Sequence, residues 1–332
     1  MKFSLTDEQN SFAEALDALL STADVPTVAR AWAARDAEPG RRLWHRLADV
    51  GLSGLRVPEA RGGFDGTAVD MTVAFDRLGY HGVPGPWIES VVLAPLLLTA
   101  SPHVDGSASD LLAGLARGSV VASVSSGTPP RAVDADIADR VLHIDGGFVV
   151  EAHLGATLSS VDPTRRLTET HPTDTHLAEV SSAQIARATD AASLACSAQL
   201  LGAGERLLHD TIAYVGQRKQ FGRVIGGYQV LKHALADVRV ALDFVRPLVL
   251  GAAIELDTAS STAARDTSAA KVGAADAAIL AARTALQLHG AVGYTSELDL
   301  SLWLLRVQAL VGAWGTPQQH RARILTALVE SR

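Results

Sequence analysis

The 332-residue sequence contains a single cysteine, Cys196. It can form no disulfide within the chain, so nothing points to an oxidising compartment. Its setting in an alanine-rich helical stretch reads as a small buried thiol. The formal charge is −7 and there is no long basic run, so the electrostatic footprint of a nucleic-acid partner is missing. Long apolar runs are also missing. The most apolar segment, Val91 to Leu98, is too short to span a bilayer and contains Pro95. Met1 to Gln9 is polar and lacks the apolar core of a signal peptide. These absences predict a soluble, cytoplasmic protein with neither membrane nor nucleic acid as partner. Aromatic residues are scarce, at 5%, while apolar residues make up 48% and alanine is plentiful. That mixture favours helices, because alanine and leucine cost least in a helix interior. The length leaves room for a sizeable core and one to three domains.

Three parts follow from the patterning. Residues 1–118 read as helical. Thr6 to Gln9 has the form of a capping box, and Phe12, Leu16, Leu19 and Leu20 then mark one apolar face. A second helix is expected over Arg41 to Val50, closed by Gly51, and a third over about Val69 to Gly79 after the loop at Val57-Pro58-Glu59 and Gly62-Gly63. Residues 119–182 change character. Val120 to Ala122, Arg140 to Ile144 and Gly147 to Val150 are short β-prone runs, and Asp145-Gly146-Gly147 is a hairpin signal. Thr128-Pro129-Pro130 and Asp162-Pro163 read as loop markers, and His171 and His176 as part of a threonine-rich loop without ligand spacing. Such a segment is expected to lean on the helices around it. Residues 183–332 return to helix. Val230, Ala234, Leu235, Val238, Ala241, Leu242 and Val245 describe a long amphipathic helix that Pro247 should kink or end. Another helix runs from about Thr267 to His289, stopped at Gly290.

Generic catalytic motifs return little. There is no Walker loop and no nucleophile elbow. Gly202-Ala-Gly204 lacks the third glycine of a dinucleotide fingerprint and reads as helix packing. Two other stretches stand out. One is Arg218-Lys-Gln-Phe-Gly222, followed by Tyr228-Gln229, His233 and Ala236-Asp237. The other is Gln287-Leu-His-Gly290-Ala-Val-Gly293-Tyr294-Thr295. An arginine at a helix end followed by glycine offers a fork of donors to a pyrophosphate. Glycines after a helix let backbone approach a ligand, and Gln287 can bond through its amide. Taken singly, each is equally readable as a helix-ending turn with a surface arginine.

Together and in this order, about seventy residues apart, the two stretches resemble the acyl-CoA dehydrogenase family, and the resemblance extends over the whole chain. Leu43-Trp44 through Leu47-Ala48, then Gly51-Leu52 to Glu59 with Gly62-Gly63, look like that family's first domain. Asp162 to Arg165 looks like the end of its β domain. The resemblance implies a mainly α fold: an N-terminal helical domain, here a truncated small β segment, and a C-terminal four-helix bundle. It also implies tetrameric assembly with FAD at subunit interfaces, an acyl-CoA substrate, and electron-transfer flavoprotein as a possible acceptor. Carried over by position, the FAD contacts would be Arg218, Gln220, Phe221, Gln229, Gln287, Leu288, His289, Gly290 and Ala291. Thr316 and Gln318 match ring-side contacts.

The departures from the family are as informative. Members carry a threonine-glutamate-proline stretch that holds the flavin ring, with a glycine-serine-aspartate sequel; the corresponding place here reads Ala122-Ser-Val-Ser-Ser-Gly-Thr-Pro-Pro130, and the following strands read as deleted. Most members place a catalytic glutamate directly before a glycine-threonine pair. The pair here is Gly315-Thr316, and the residue before it is Trp314. The alternative location for the base falls near Ala192, where Asp190 is the nearest carboxylate. No catalytic residue is therefore assigned. The first expectation is a subunit of an α2β2 heterotetramer, of a kind that in actinobacteria includes enzymes of sterol side-chain breakdown. It would lend the arginine and glutamine-glycine half of an FAD site to a full-length acyl-CoA dehydrogenase subunit, which supplies the base and the ring contacts. The alternatives are a homo-oligomeric flavoprotein with altered chemistry, using Asp190 or Glu255, and a flavin-free scaffolding protein of the same fold.

Overall fold

The computed structural model describes residues 3–101, 106–125, 129–220, 222–295 and 298–330. Phe221 and the 126–128 part of the ring-site stretch lie outside them. The first helical part comprises α1 (Asp7–Ser21), α2 (Val25–Ala33), α3 (Glu38–Asp49), α4 (Ala68–His81), a π-helical turn at Ile88–Leu93 that runs into α5 (Ala94–Leu98), and α6 (Gly106–Ala116). The capping box at Thr6 forms in both directions, with Gln9 as its partner. A second box, Thr67 with Asp70, starts α4. The third expected helix thus extends one residue earlier and two later than the periodicity alone places it. Its core face packs Met71, Phe75 and Leu78 at zero exposure.

The middle part is a five-stranded sheet: β1 (Ala122–Ser125), β2 (Arg131–Val133), β3 (Arg140–Asp145), β4 (Phe148–Leu158) and β5 (Leu167–Glu179), in the spatial order β1-β3-β4-β5-β2. β1 and β3 are parallel and the other pairs antiparallel. The hairpin signal is met: Asp145 pairs with Phe148, leaving Gly146 and Gly147 as a two-residue turn with φ of 54° and 101°. Both values need a residue that tolerates left-handed backbone. The threonine-rich loop expected around His171 and His176 is instead strand β5, paired with β4 along most of its length. The two edges of the sheet curl toward one another, and the Ser123 hydroxyl donates to the Val133 carbonyl at 2.6 Å. Inside the curl, His143 Nδ1 lies 3.0 Å from both Ser125 Oγ and Thr170 Oγ1.

The last part holds α7 (Ser182–Gln217), the ribbon β6 (Lys219–Gln220) with β7 (Arg223–Val224), α8 (Gln229–Asp257), α9 (Ala263–His289), α10 (Leu300–Gly312) and α11 (Pro317–Glu330). Ser181 caps α7 in a third capping box, with Gln184. Pro247 does not end α8, which continues to Asp257. Val245, Val249, Ala252 and Ala253 lie buried on both sides of the proline, so core packing outweighs the lost backbone bond. Cys196 is fully buried, its thiol directed at the Leu310 carbonyl 3.4 Å away. Lys271 is likewise fully buried and donates to the carbonyls of Leu310 and Val311, both at 3.0 Å, closing the C-terminal end of α10.

Gly202 and Gly204 serve packing, as their helical setting predicts. α4 crosses α7 so closely that a Cβ on Gly202 would lie 1.9 Å from the Asp76 carbonyl oxygen, and one on Gly79 would lie 2.1 Å from that of Gln199. Gly202→Ala is therefore expected to destabilise the protein by about 1–3 kcal/mol, since backbone atoms must shift to admit the methyl. Gly216→Ala in the same helix meets no atom within 4 Å and should stabilise by about 0.5–1 kcal/mol. Urea denaturation of both variants checks the contrast.

Candidate functional site

The two sequence stretches meet at one end of the C-terminal bundle. α7 is capped by Arg218, whose amide bonds the Tyr214 carbonyl. α9 is capped by Gly290, with φ 63° and ψ −143°, a conformation open to glycine. The Tyr214 ring stacks on the His289 ring, centroids 4.2 Å apart, so the turn after α7 and the turn after α9 share one surface. Arg218, Gln220, Gln229, Gln287, Gly290 and Ala291 are exposed there. Among the described residues, none of the four long side chains makes a hydrogen bond or ion pair. A Cβ on Gly290 would meet nothing within 4 Å. Unpaired cationic and amide donors beside open glycine backbone suit a pyrophosphate-bearing ligand. The residues present thus fit the phosphate-bearing half of FAD.

Four of the expected contacts stand apart from this exposed set. The His289 ring is buried against Tyr214 and bonds the Ala285 carbonyl at 2.8 Å, so what it can present to a ligand is backbone. Leu288 is half-buried. Thr316 and Gln318 do not join this surface within one chain. They open α11, whose His320 bonds Ser268 near the start of α9, about 33 Å of helix away from Gly290. Thr316 is also occupied as a helix cap, its hydroxyl accepting from the Gln319 amide at 3.2 Å.

A second region lies between the sheet and the C-terminal bundle: a cleft of about 1030 Å³ bordered by Arg131, His143, Arg165, Trp314, His320 and Glu89, among others. Trp314, directly before the Gly315-Thr316 pair, has φ 57°, unusual for a bulky residue. Its carbonyl is held 3.0 Å from His320 Nε2. Neither proposed substitute base is free in this cleft. Asp190 is bonded to Arg323 at 2.7 Å; burial raises its pKa and the Arg323 charge opposes that rise. Glu255 accepts from Thr262 at 3.2 Å and does not border the cleft. Burial lowers the pKa of both His143 and His320, favouring their neutral forms.

Glu89 escaped the sequence reading. It sits in the π-helical turn, 1% exposed, and its Oε2 has no hydrogen-bond partner. Burial pushes its carboxyl up, against the opposing charge of Arg165. Its neighbours in sequence are Trp87, Ile88, Val91 and Val92, so the only available signal was a lone acid in an apolar run.

The chain resembles known proteins along its length. The model for the acyl-CoA dehydrogenase N-terminal domain matches residues 6–107, and that for the C-terminal domain matches residues 183–329. The chain is 30% identical over 328 residues to acyl-CoA dehydrogenase IpdE2 of Mycobacterium tuberculosis, covering 98% of each. Its fold matches the ChsE4-ChsE5 complex from Mycobacterium tuberculosis with a TM-score of 0.82 at 21% identity, over 100% of each chain. It also matches the Tcur3481-Tcur3483 steroid ACAD with a TM-score of 0.84 at 22% identity, over 98% of each.

The raised Glu89 pKa has a pH consequence. The native state holds this proton more tightly than the unfolded state, whose value is near 4.5. The associated stability is complete below that value and is lost as pH rises through the native one. Glu89→Gln carries no such proton, so its stability relative to wild type should increase as pH rises above about 4.5. Urea midpoints of both proteins across pH 4–8 test this; parallel profiles would contradict it.

Proposed function

Because the chain belongs to the acyl-CoA dehydrogenase family, we propose that it is one subunit of a heteromeric acyl-CoA dehydrogenase, lending the pyrophosphate-binding half of an interface flavin site to a full-length partner subunit. The family is FAD-dependent, and FAD when bound supplies a two-electron acceptor for the α,β-dehydrogenation of an acyl-CoA thioester. The observation that carries the proposal is a mismatch within the chain. Arg218, Gln220, Gln229 and Gln287 stand exposed and unpaired among the described residues, while Trp314 occupies the position of the base. An indole cannot take the α-proton.

The division of labour follows from these residues. Arg218 would hold phosphate oxygens with charged donors, Gln287 would add its side-chain amide, and Gly290 would admit the ligand to the backbone. The partner would supply the proton acceptor and the contacts to the flavin ring. The roughly 33 Å of helix between Ser268, where α11 packs, and Gly290 suits two different interfaces, as expected if flavin sites are shared between chains.

Exposed apolar side chains support the reading as a subunit. Val240, Phe244 and Leu248 lie one helical turn apart on α8, with Phe244 73% exposed, and a row of this kind marks an association surface. A bulky, steroid-like acyl group is the proposed substrate class; one neighbour in fold is described as a steroid ACAD. Electron-transfer flavoprotein is the proposed acceptor.

Co-expression with a full-length acyl-CoA dehydrogenase partner, followed by mass and flavin absorbance, tests the assembly. A complex of two plus two chains with two FAD, and none on this chain alone, is expected; FAD bound by this chain alone would overturn the proposal. Within the complex, Arg218→Ala should weaken FAD retention by about 10- to 100-fold, the cost of losing charge-assisted hydrogen bonds. Flavin release on dilution measures it.

A further inference from the structure

The cleft contains polar groups that the fold leaves without partners. Glu89 Oε2 and Arg131 Nε are buried with no hydrogen bond among the described residues. Arg165 is 6% exposed and borders the cleft, yet its guanidinium makes no hydrogen bond or ion pair among the described residues. Arg323, also on the cleft, is already committed to Asp190. A buried charged fork without an acceptor carries an uncompensated desolvation cost, and native proteins rarely tolerate several such groups in one place. Here three converge on one cavity whose remaining walls include Val124, Ile144, Leu167 and Ile185. A concave, mainly apolar site with a few converging polar groups is the usual form of a small-molecule pocket, and about 1030 Å³ is at the upper end of the range for one.

We propose that this cleft is a binding site for an apolar small molecule bearing one carboxylate, whose oxygens are held by Arg165 and Arg131 at the polar end beside Glu89. A planar guanidinium matches a carboxylate with two parallel N–H donors. On the cleft wall Arg131 and Arg165 face one acid, Glu89, and the Asp134 carboxyl near Arg165, off the cleft, is pushed up to about 7 by burial, so the polar end favours an anion. Burial drives Glu89 toward its neutral form, in which it can donate a hydrogen bond to the ligand rather than repel it. The proposal does not depend on a partner subunit: Arg218, Gln287 and Gly290 lie outside this cleft.

Isothermal titration of the full chain, together with any partner subunit that purifies with it, tests the assignment with 2-naphthoate as the anionic probe and 2-naphthamide as its neutral counterpart. Saturable binding of the naphthoate at one site per copy of this chain is expected, with the amide at least about tenfold weaker. Arg165→Gln should weaken naphthoate binding by about tenfold or more, whereas Arg321→Gln, on an exposed face paired with Asp276, should not change it. No saturable binding at millimolar naphthoate, equal affinity for the amide, or unchanged affinity in Arg165→Gln would each overturn the proposal. Should Arg165→Gln fail to fold, the comparison of acid and amide on the unaltered chain decides.

Discussion

The structure depends on one buried guanidinium. Arg306, on α10, is 4% exposed and donates to Asp162 at 2.5 Å, to the Thr164 hydroxyl at 2.6 Å and to the Val83 carbonyl at 3.0 Å. Those partners lie in the loop between β4 and β5 and in the loop after α4, so a single side chain in the bundle ties all three parts together. The Arg306 charge holds Asp162 below the usual carboxylate range in spite of burial. Removing one member of such a pair typically costs about 3–5 kcal/mol, because the other is left charged and alone.

The turn fixed by Arg306 also sets the cleft. Arg165 follows Thr164 and is delivered to the cavity wall. The next residue, Arg166, turns the other way: its amide bonds Asp134 at 3.0 Å and its guanidinium reaches the Trp32 carbonyl at 3.3 Å. Asp134 also accepts from the Trp32 indole at 3.2 Å, and burial pushes its carboxyl up to about 7. Consecutive arginines are thus divided between architecture and an open cavity. The same economy appears on α11, where His320 holds the Trp314 turn while Arg323 neutralises Asp190. The turn before Gly315 is thus held through the Trp314 backbone carbonyl.

Much of the fold was legible because its signals are local. Thr6 with Gln9, the Asp145 to Gly147 turn and Gly290 each act within a few residues, and each marks the boundary the sequence suggests. The failures are where local signals are weak or are overruled. β5 alternates little between buried and exposed positions and contains Pro172, so no period of two distinguishes it from a loop. Pro247 is a true helix breaker by itself, yet α8 continues because its flanking residues are locked into the core.

The candidate surface divides in the same way. The residue types of the proposed half-site, Arg218 with its glycine and Gln287 with its glycine, were determined by the sequence, since donors and backbone freedom are properties of single residues. Their meeting on one surface was decided by tertiary structure, through the Tyr214–His289 stack between helices distant in the chain. Glu89, Arg131 and Arg165 show the limit most clearly. Each is an ordinary charged residue in sequence, and only folding buries Glu89, Arg165 and the Arg131 Nε without giving the orphaned atoms a partner among the described residues. Desolvation is a property of the assembled surroundings, so no stretch of sequence carries it.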